Sequence, residues 1–179
     1  MLQLTSVVNC AGEFHVSLEQ PTEGVVVIEC SSQPAELSHS PTLHFRIGLW
    51  EKPPLDIMVD PYSKGLIGLQ FVLQDESIPA GEIEHQVVAN RAGLPVFGMH
   101  WNQDSPYFDL TAAVDFFRTD SGDFAVIIGD NKTEVFESLE VDEALAVLLD
   151  RHMFLVGFII RGLPLPYITG TRSDTSDTS

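Results

Sequence analysis

The chain has 179 residues and a mass of 19.7 kDa, enough for one domain or two small ones. Nine Lys and Arg against 26 Asp and Glu leave a formal net charge of −17, while 44% of the residues are hydrophobic. Such a chain can bury a core, which excludes an acidic disordered tail; its charge repels phosphate backbones and anionic lipid, which disfavours nucleic acid and membrane as partners.

Met1 to Gly12 carries no Lys or Arg, and Gln3, Thr5, Ser6 and Asn9 interrupt its apolar residues, so it does not read as an export signal. Gly24 to Glu29 (GVVVIE) is β-branched with no helical stripe, and His44 to Leu49 alternates through Phe45, Ile47 and Leu49; both read as strands. Leu66 to Leu73 (LIGLQFVL) reads as a central strand covered on both faces. Ala80 to Asn90 is a candidate helix. Ala113 to Arg118, the loop TDSGD and Phe124 to Ile128 read as a hairpin, and Gly129 to Lys132 turns the chain into Thr133 to Leu139. Asp142 to His152 fits a helix through Leu145, Leu148, Leu149 and His152, and a strand through Leu145, Val147 and Leu149. Phe154 to Ile160 is the last strand; Met153 to Ile160, the longest apolar run, is far short of the ~20 residues a membrane helix needs. Thr169 to Ser179 has no large apolar residue and is expected to be disordered.

The expected architecture is α+β, dominated by antiparallel sheet, in one domain over residues 1–168. The expected core is Val25, Val27, Phe45, Ile47, Ile57, Val59, Leu66, Phe71, Phe116, Ile127, Leu145, Leu149, Val156 and Ile160. Two related β-rich halves, about 1–90 and 91–168, are suggested by an internal match. LDIMVDPYSKGLIGLQFVL from Leu55 aligns with LAVLLDRHMFLVGFIIRG from Leu145, with one residue dropped from the second turn. Leu55 then meets Leu145, Asp60 meets Asp150, Leu66 meets Leu155 and Gly68 meets Gly157. The match tips Ala144 to Leu149 towards strand. Glu140-Val-Asp-Glu-Ala, the run to Asp150, and Leu155-Val-Gly-Phe-Ile-Ile resemble small bacterial β-rich domains of uncharacterised function, which carry E-V-D-E-G, an Asp at a turn, and L-V-G-I-E-I. The resemblance covers roughly 25 residues and implies a strand-turn-strand with no activity attached.

No reaction is legible in the chain. Glu82, Glu84 and His85 adjoin one another, and His100 and Asp104 follow, but no metal-ligand spacing links them, and they read as solvated. Asp115, Asp120, Asp123 and Asp130 read as turn residues, because TDSGD lacks the calcium-loop pattern. Cys10 and Cys30 read as reduced thiols in an acidic field that opposes thiolate formation. Serine elbows and phosphate loops are missing, so the chain is read as not an enzyme and as needing no cofactor and no metal.

The expected function is therefore binding. In size, acidity and lack of a catalytic constellation the chain is similar to bacterial immunity proteins, a likeness that implies a cytoplasmic inhibitor steered onto a basic, nucleic-acid-acting toxin or enzyme. The candidate partner-binding residues are Trp50, Glu51, Glu82, Glu84, Trp101, Asp104 and Tyr107, acids beside aromatics in turn-rich surroundings. A homo-oligomeric scaffold or regulatory domain pairing by sheet edges, a homodimer in its simplest form, is the alternative. A small-molecule-binding domain ranks below it.

Overall fold

The computed structural model describes residues 1–9, 13–32, 42–48, 53–74, 78–81, 90–98, 105–129 and 135–163. Fourteen strands and no helix occur among them. They are β1 (Gln3–Val8), β2 (Phe14–Thr22), β3 (Val25–Ser32), β4 (Leu43–Ile47), β5 (Leu55–Val59), β6 (Leu66–Gln74) and β7 (Asn90–Ala92), then β8 (Leu94–Gly98), β9 (Tyr107–Leu110), β10 (Val114–Arg118), β11 (Phe124–Ile128), β12 (Glu137–Glu140), β13 (Leu145–Leu149) and β14 (Leu155–Ile160).

The α+β expectation is thereby corrected to all-β. At Asp142 to His152 the Leu spacing that fits a helix belongs to a strand buried on both faces, since every residue of β13 is buried. The Asp142 carboxylate accepts the N–H groups of Ala144 and Leu145, both at 2.9 Å, and so closes a turn where a helix would have had its cap. The second candidate helix, Ala80 to Asn90, lies mostly outside the described residues; Ala80 and Gly81 are not helical, and Asn90 opens β7.

Two six-stranded sheets carry the fold. The first runs β2-β3-β6-β5-β4-β9 and the second β10-β11-β14-β13-β12-β7. Read from the hairpin edge, the order is the same in both, with β9 and β7 each added in parallel at the far edge. The aligned pairs Leu55/Leu145, Asp60/Asp150, Leu66/Leu155 and Gly68/Gly157 fall at matching places. Each β-hairpin also has its register shift at the same point, Met58/Val59 in one and Leu148/Leu149 in the other. β1 pairs with β8 in a separate ribbon. β1 hydrogen-bonds the β13–β14 turn through Leu4 N to Met153 O, and β8 bonds the β5–β6 turn through Phe97 N to Lys64 O.

The inner faces of both sheets meet in one core, where Phe71 of β6 stacks on Phe116 and Phe124 at 5.2 and 5.5 Å. Expected core residues Phe45, Ile47, Ile57, Val59, Leu66, Phe71, Leu145, Leu149 and Ile160 are buried there. On β3 the buried set is Val26, Ile28 and Cys30, not Val25 and Val27, which share their face with Glu29. Phe116 and Val156 are only partly buried, and Ile127 belongs to a smaller cluster with Phe117, Ala125, Val135 and Leu148 on the outer face of the second sheet.

The two outer faces differ sharply in chemistry. Across the first sheet the paired row reads Asp109, Arg46, Asp56, Gln70, Glu29, Ser17. The matching row of the second reads Glu140, Ala146, Ile159, Ala125, Phe117. One face is polar and half-exposed; the other is apolar and largely covered.

Candidate binding face of the first sheet

Strand alternation sends every second side chain of β4, β5 and β9 outward, and parallel pairing of β9 on β4 sets His44 beside Tyr107 and Arg46 beside Asp109. His44 Nδ1 meets Asp56 Oδ2 at 2.8 Å, and its ring stacks on Tyr107 at a centroid distance of 5.1 Å. Arg46 donates to both carboxylate oxygens of Asp109, at 2.7 and 2.9 Å, and lies 4.7 Å from the centre of the Tyr107 ring. The hydrogen bond to Asp109 pushes the Arg46 guanidinium above its ordinary range. Tyr107 remains 50% exposed, so a rigid aromatic clasped by a cation and an imidazole is offered to solvent.

At the opposite edge the β2–β3 hairpin is different in kind. From Glu13 to Ser32 it contains Glu13, Glu19, Glu23 and Glu29 and no Lys or Arg. Among the described residues no cation pairs with these four. Most other described carboxylates are engaged. Asp56 and Asp109 hold His44 and Arg46, Glu140 takes Arg161 at 2.7 and 3.1 Å, and Glu137, nearly buried, faces Arg91 at 2.9 Å. Asp60, Asp142 and Asp150 accept backbone N–H groups at turns. Four of the described acids thus share one hairpin with no described cation paired to them.

Of the seven sequence candidates, Tyr107 alone is described, and it sits in the β4–β9 cluster. Trp50, Glu51, Glu82, Glu84, Trp101 and Asp104 lie outside the described residues, as do His85, His100, Asp130 and Cys10. Asp120 and Asp123 belong to the β10–β11 turn, where Ser121 Oγ donates to Asp123 at 2.8 Å. Sequence reasoning missed the His44–Asp56 pair and the hairpin glutamates. The absence of any cation over Glu13 to Ser32 was the signal for the latter.

The chemistry open to this surface is limited. Cys30 points into the core with no exposure, and burial, then Asp142 and Glu29, push its thiol up to about 12, so it is no nucleophile for His44. No cluster of three or more His, Cys, Asp or Glu able to hold a metal occurs among the described residues. A cleft between the sheets, lined by Ile47, Leu55, Leu73, Val114 and Phe116, holds about 230 Å³, less than ligand pockets usually offer. No described helix is long and apolar enough to cross a membrane. No protein-family model matches the chain, and no similar curated protein was found.

Proposed function

We propose that this protein is a non-enzymatic, acidic binding module that takes a basic protein as its partner in the cytoplasm and inhibits it in the manner of an immunity protein. The observation that carries the reading is the β2–β3 hairpin, whose four glutamates have no cation among the described residues to offset them, on a chain of net charge −17. Unbalanced carboxylates on one rigid hairpin concentrate the field and can speed association with a cationic surface by about 10–1,000-fold at low salt. The polar outer face behind the hairpin, ending at Tyr107, supplies flat contact area with an aromatic anchor.

The experiment is affinity capture on the immobilised full chain from native lysate under a salt gradient, followed by an activity assay of whatever is retained. A basic protein should be held at low salt, released as salt rises and inhibited by the free chain. Replacing Glu19, Glu23 and Glu29 together by Gln should slow its association about tenfold or more with little change in dissociation. Retention that strengthens with salt, or an unchanged on-rate for the triple variant, would overturn the proposal. A homo-oligomeric scaffold is the second reading, favoured by the outer edge of β2, which no described residue pairs.

A further inference from the structure

The two sheets end in equivalent hairpin edges, and among the described residues only one of these edges is covered. In the second sheet Arg118 of β10 turns its N–H and C=O away from β11, and the Pro79–Gly81 segment pairs with both. Arg118 N donates to Pro79 O, and Gly81 N donates to Arg118 O, each at 2.9 Å. In the first sheet Leu18 holds the matching place, since Leu18 pairs with Ile28 as Arg118 pairs with Phe124. The parity is the same: Phe14 N–H, four residues before Leu18, also points away from β3 and is taken by Asp142. Val16 and Leu18 therefore present outward N–H and C=O groups, and no described residue pairs with them. Their side chains reach the core only in part, leaving apolar flank exposed along the same edge. A ladder edge that no described residue pairs, beside exposed apolar flank, is a template for an added strand.

We propose that the basic partner docks by adding an extended segment to the outer edge of β2, its backbone bonding Val16 and Leu18 as Pro79–Gly81 bonds Arg118. This inference rests on the proposed function. The edge specifies the segment's chemistry through the period of two. Residues on the outer face flank Glu19, with Glu29 one strand further in across Ser17, and should be Lys or Arg; residues on the inner face cover Val16 and Leu18 and should be apolar. The partner segment thus alternates basic and apolar residues. Charge selects this occupant over a second copy of the chain, which would bring a second set of the four glutamates to the same edge.

The test uses the isotopically labelled full chain and the peptide acetyl-KVKVKVK-amide, with a twin N-methylated on alternate backbone nitrogens, followed by amide resonances and light scattering. The plain peptide should protect the Val16 and Leu18 amides from exchange, and N-methylation should weaken binding by about tenfold or more through lost backbone hydrogen bonds. Val16→Pro, which removes an outward N–H and spares the β2–β3 ladder, should weaken the plain peptide similarly without loss of the folded spectrum. Equal affinity of the two peptides would overturn strand addition while leaving the electrostatic reading of the hairpin intact. Failure of both peptides to bind at low salt would sink the two together. A dimer in light scattering with the same amides protected before any peptide is added would assign the edge to a second copy and overturn the proposal.

Discussion

Gly68 and Gly157 occupy equivalent positions in β6 and β14, and each lies against the neighbouring strand. A Cβ on Gly68 would stand 2.7 Å from the Cys30 carbonyl oxygen, and one on Gly157 would collide with the Val126 carbonyl oxygen. Both oxygens are backbone and cannot swing aside. Gly157→Ala should therefore cost about 2–3 kcal/mol and Gly68→Ala somewhat less, read from chemical denaturation midpoints. Gly122, where a Cβ would meet nothing within 4 Å, is a control that reports only the strain of its positive φ of 87°. Cys30 yields a second prediction. Its thiol is raised from 9.0 to about 12 in the folded protein, so the folded state holds the proton more tightly than the unfolded state. The associated stability is complete below about pH 9 and is lost as pH rises towards 12. Thermal midpoints of the native chain should fall more steeply over that window than those of Cys30→Ala, and Cys30 should resist thiol reagents at pH 8 until the protein unfolds.

At the scale of elements, the two β-hairpins of the internal match use their aspartates alike. Asp60 Oδ1 accepts the N–H groups of Tyr62 and Ser63, and Asp150 Oδ1 accepts those of His152 and Phe154, at 2.6 to 3.0 Å. Each turn contains one residue of positive φ, Lys64 at 63° and Met153 at 65°. Asp60→Ala and Asp150→Ala should each lose about 1–2 kcal/mol, and the Asn variants about half of that, because the amide oxygen still accepts. Equal stability of Ala and Asn variants in urea would show that these hydrogen bonds contribute nothing. β5, β6 and β14 were legible because Asp60, Pro61 and Gly65 punctuate the first turn and the apolar runs are long, whereas β13 fits helix and strand alike. β2 offers no long apolar run because half its residues are polar, although Phe14, Val16 and Leu18 alternate plainly with His15, Ser17 and Glu19. β7 and β9 carry no local signal. They are short strands added in parallel across the chain, and they hold through long-range pairing and the ion pairs Arg91–Glu137 and Arg46–Asp109.

At the scale of the whole molecule, the charge of −17 opposes its own compaction. Raising salt from about 0.05 to 0.5 M shortens the screening length severalfold and should raise the thermal midpoint by a few degrees in buffers of non-binding ions. A midpoint that falls or stays flat would show that the engaged carboxylates, not the free ones, dominate the electrostatics. Asp142 makes the same point from the other side. One carboxylate closes the β12–β13 turn and reaches across to Phe14 N at the start of β2, joining the second sheet to the first. An acid count cannot distinguish such a structural aspartate from Glu19 or Glu23, for which no such contact occurs among the described residues.

Composition, turn chemistry and apolar runs, all local properties, determined that the chain is sheet-rich, strongly acidic and marked by two matching segments, each an apolar run, an Asp-led turn and a second apolar run. Which face of β3 is buried, whether Leu145 to Leu149 is helix or strand, and how the edge of β10 is covered were decided only in three dimensions. Each depends on what packs against a segment from far along the chain. Val26 rather than Val25 turns inward because of where the second sheet lies, and the edge of β10 is covered because the segment that follows β6 reaches across to it.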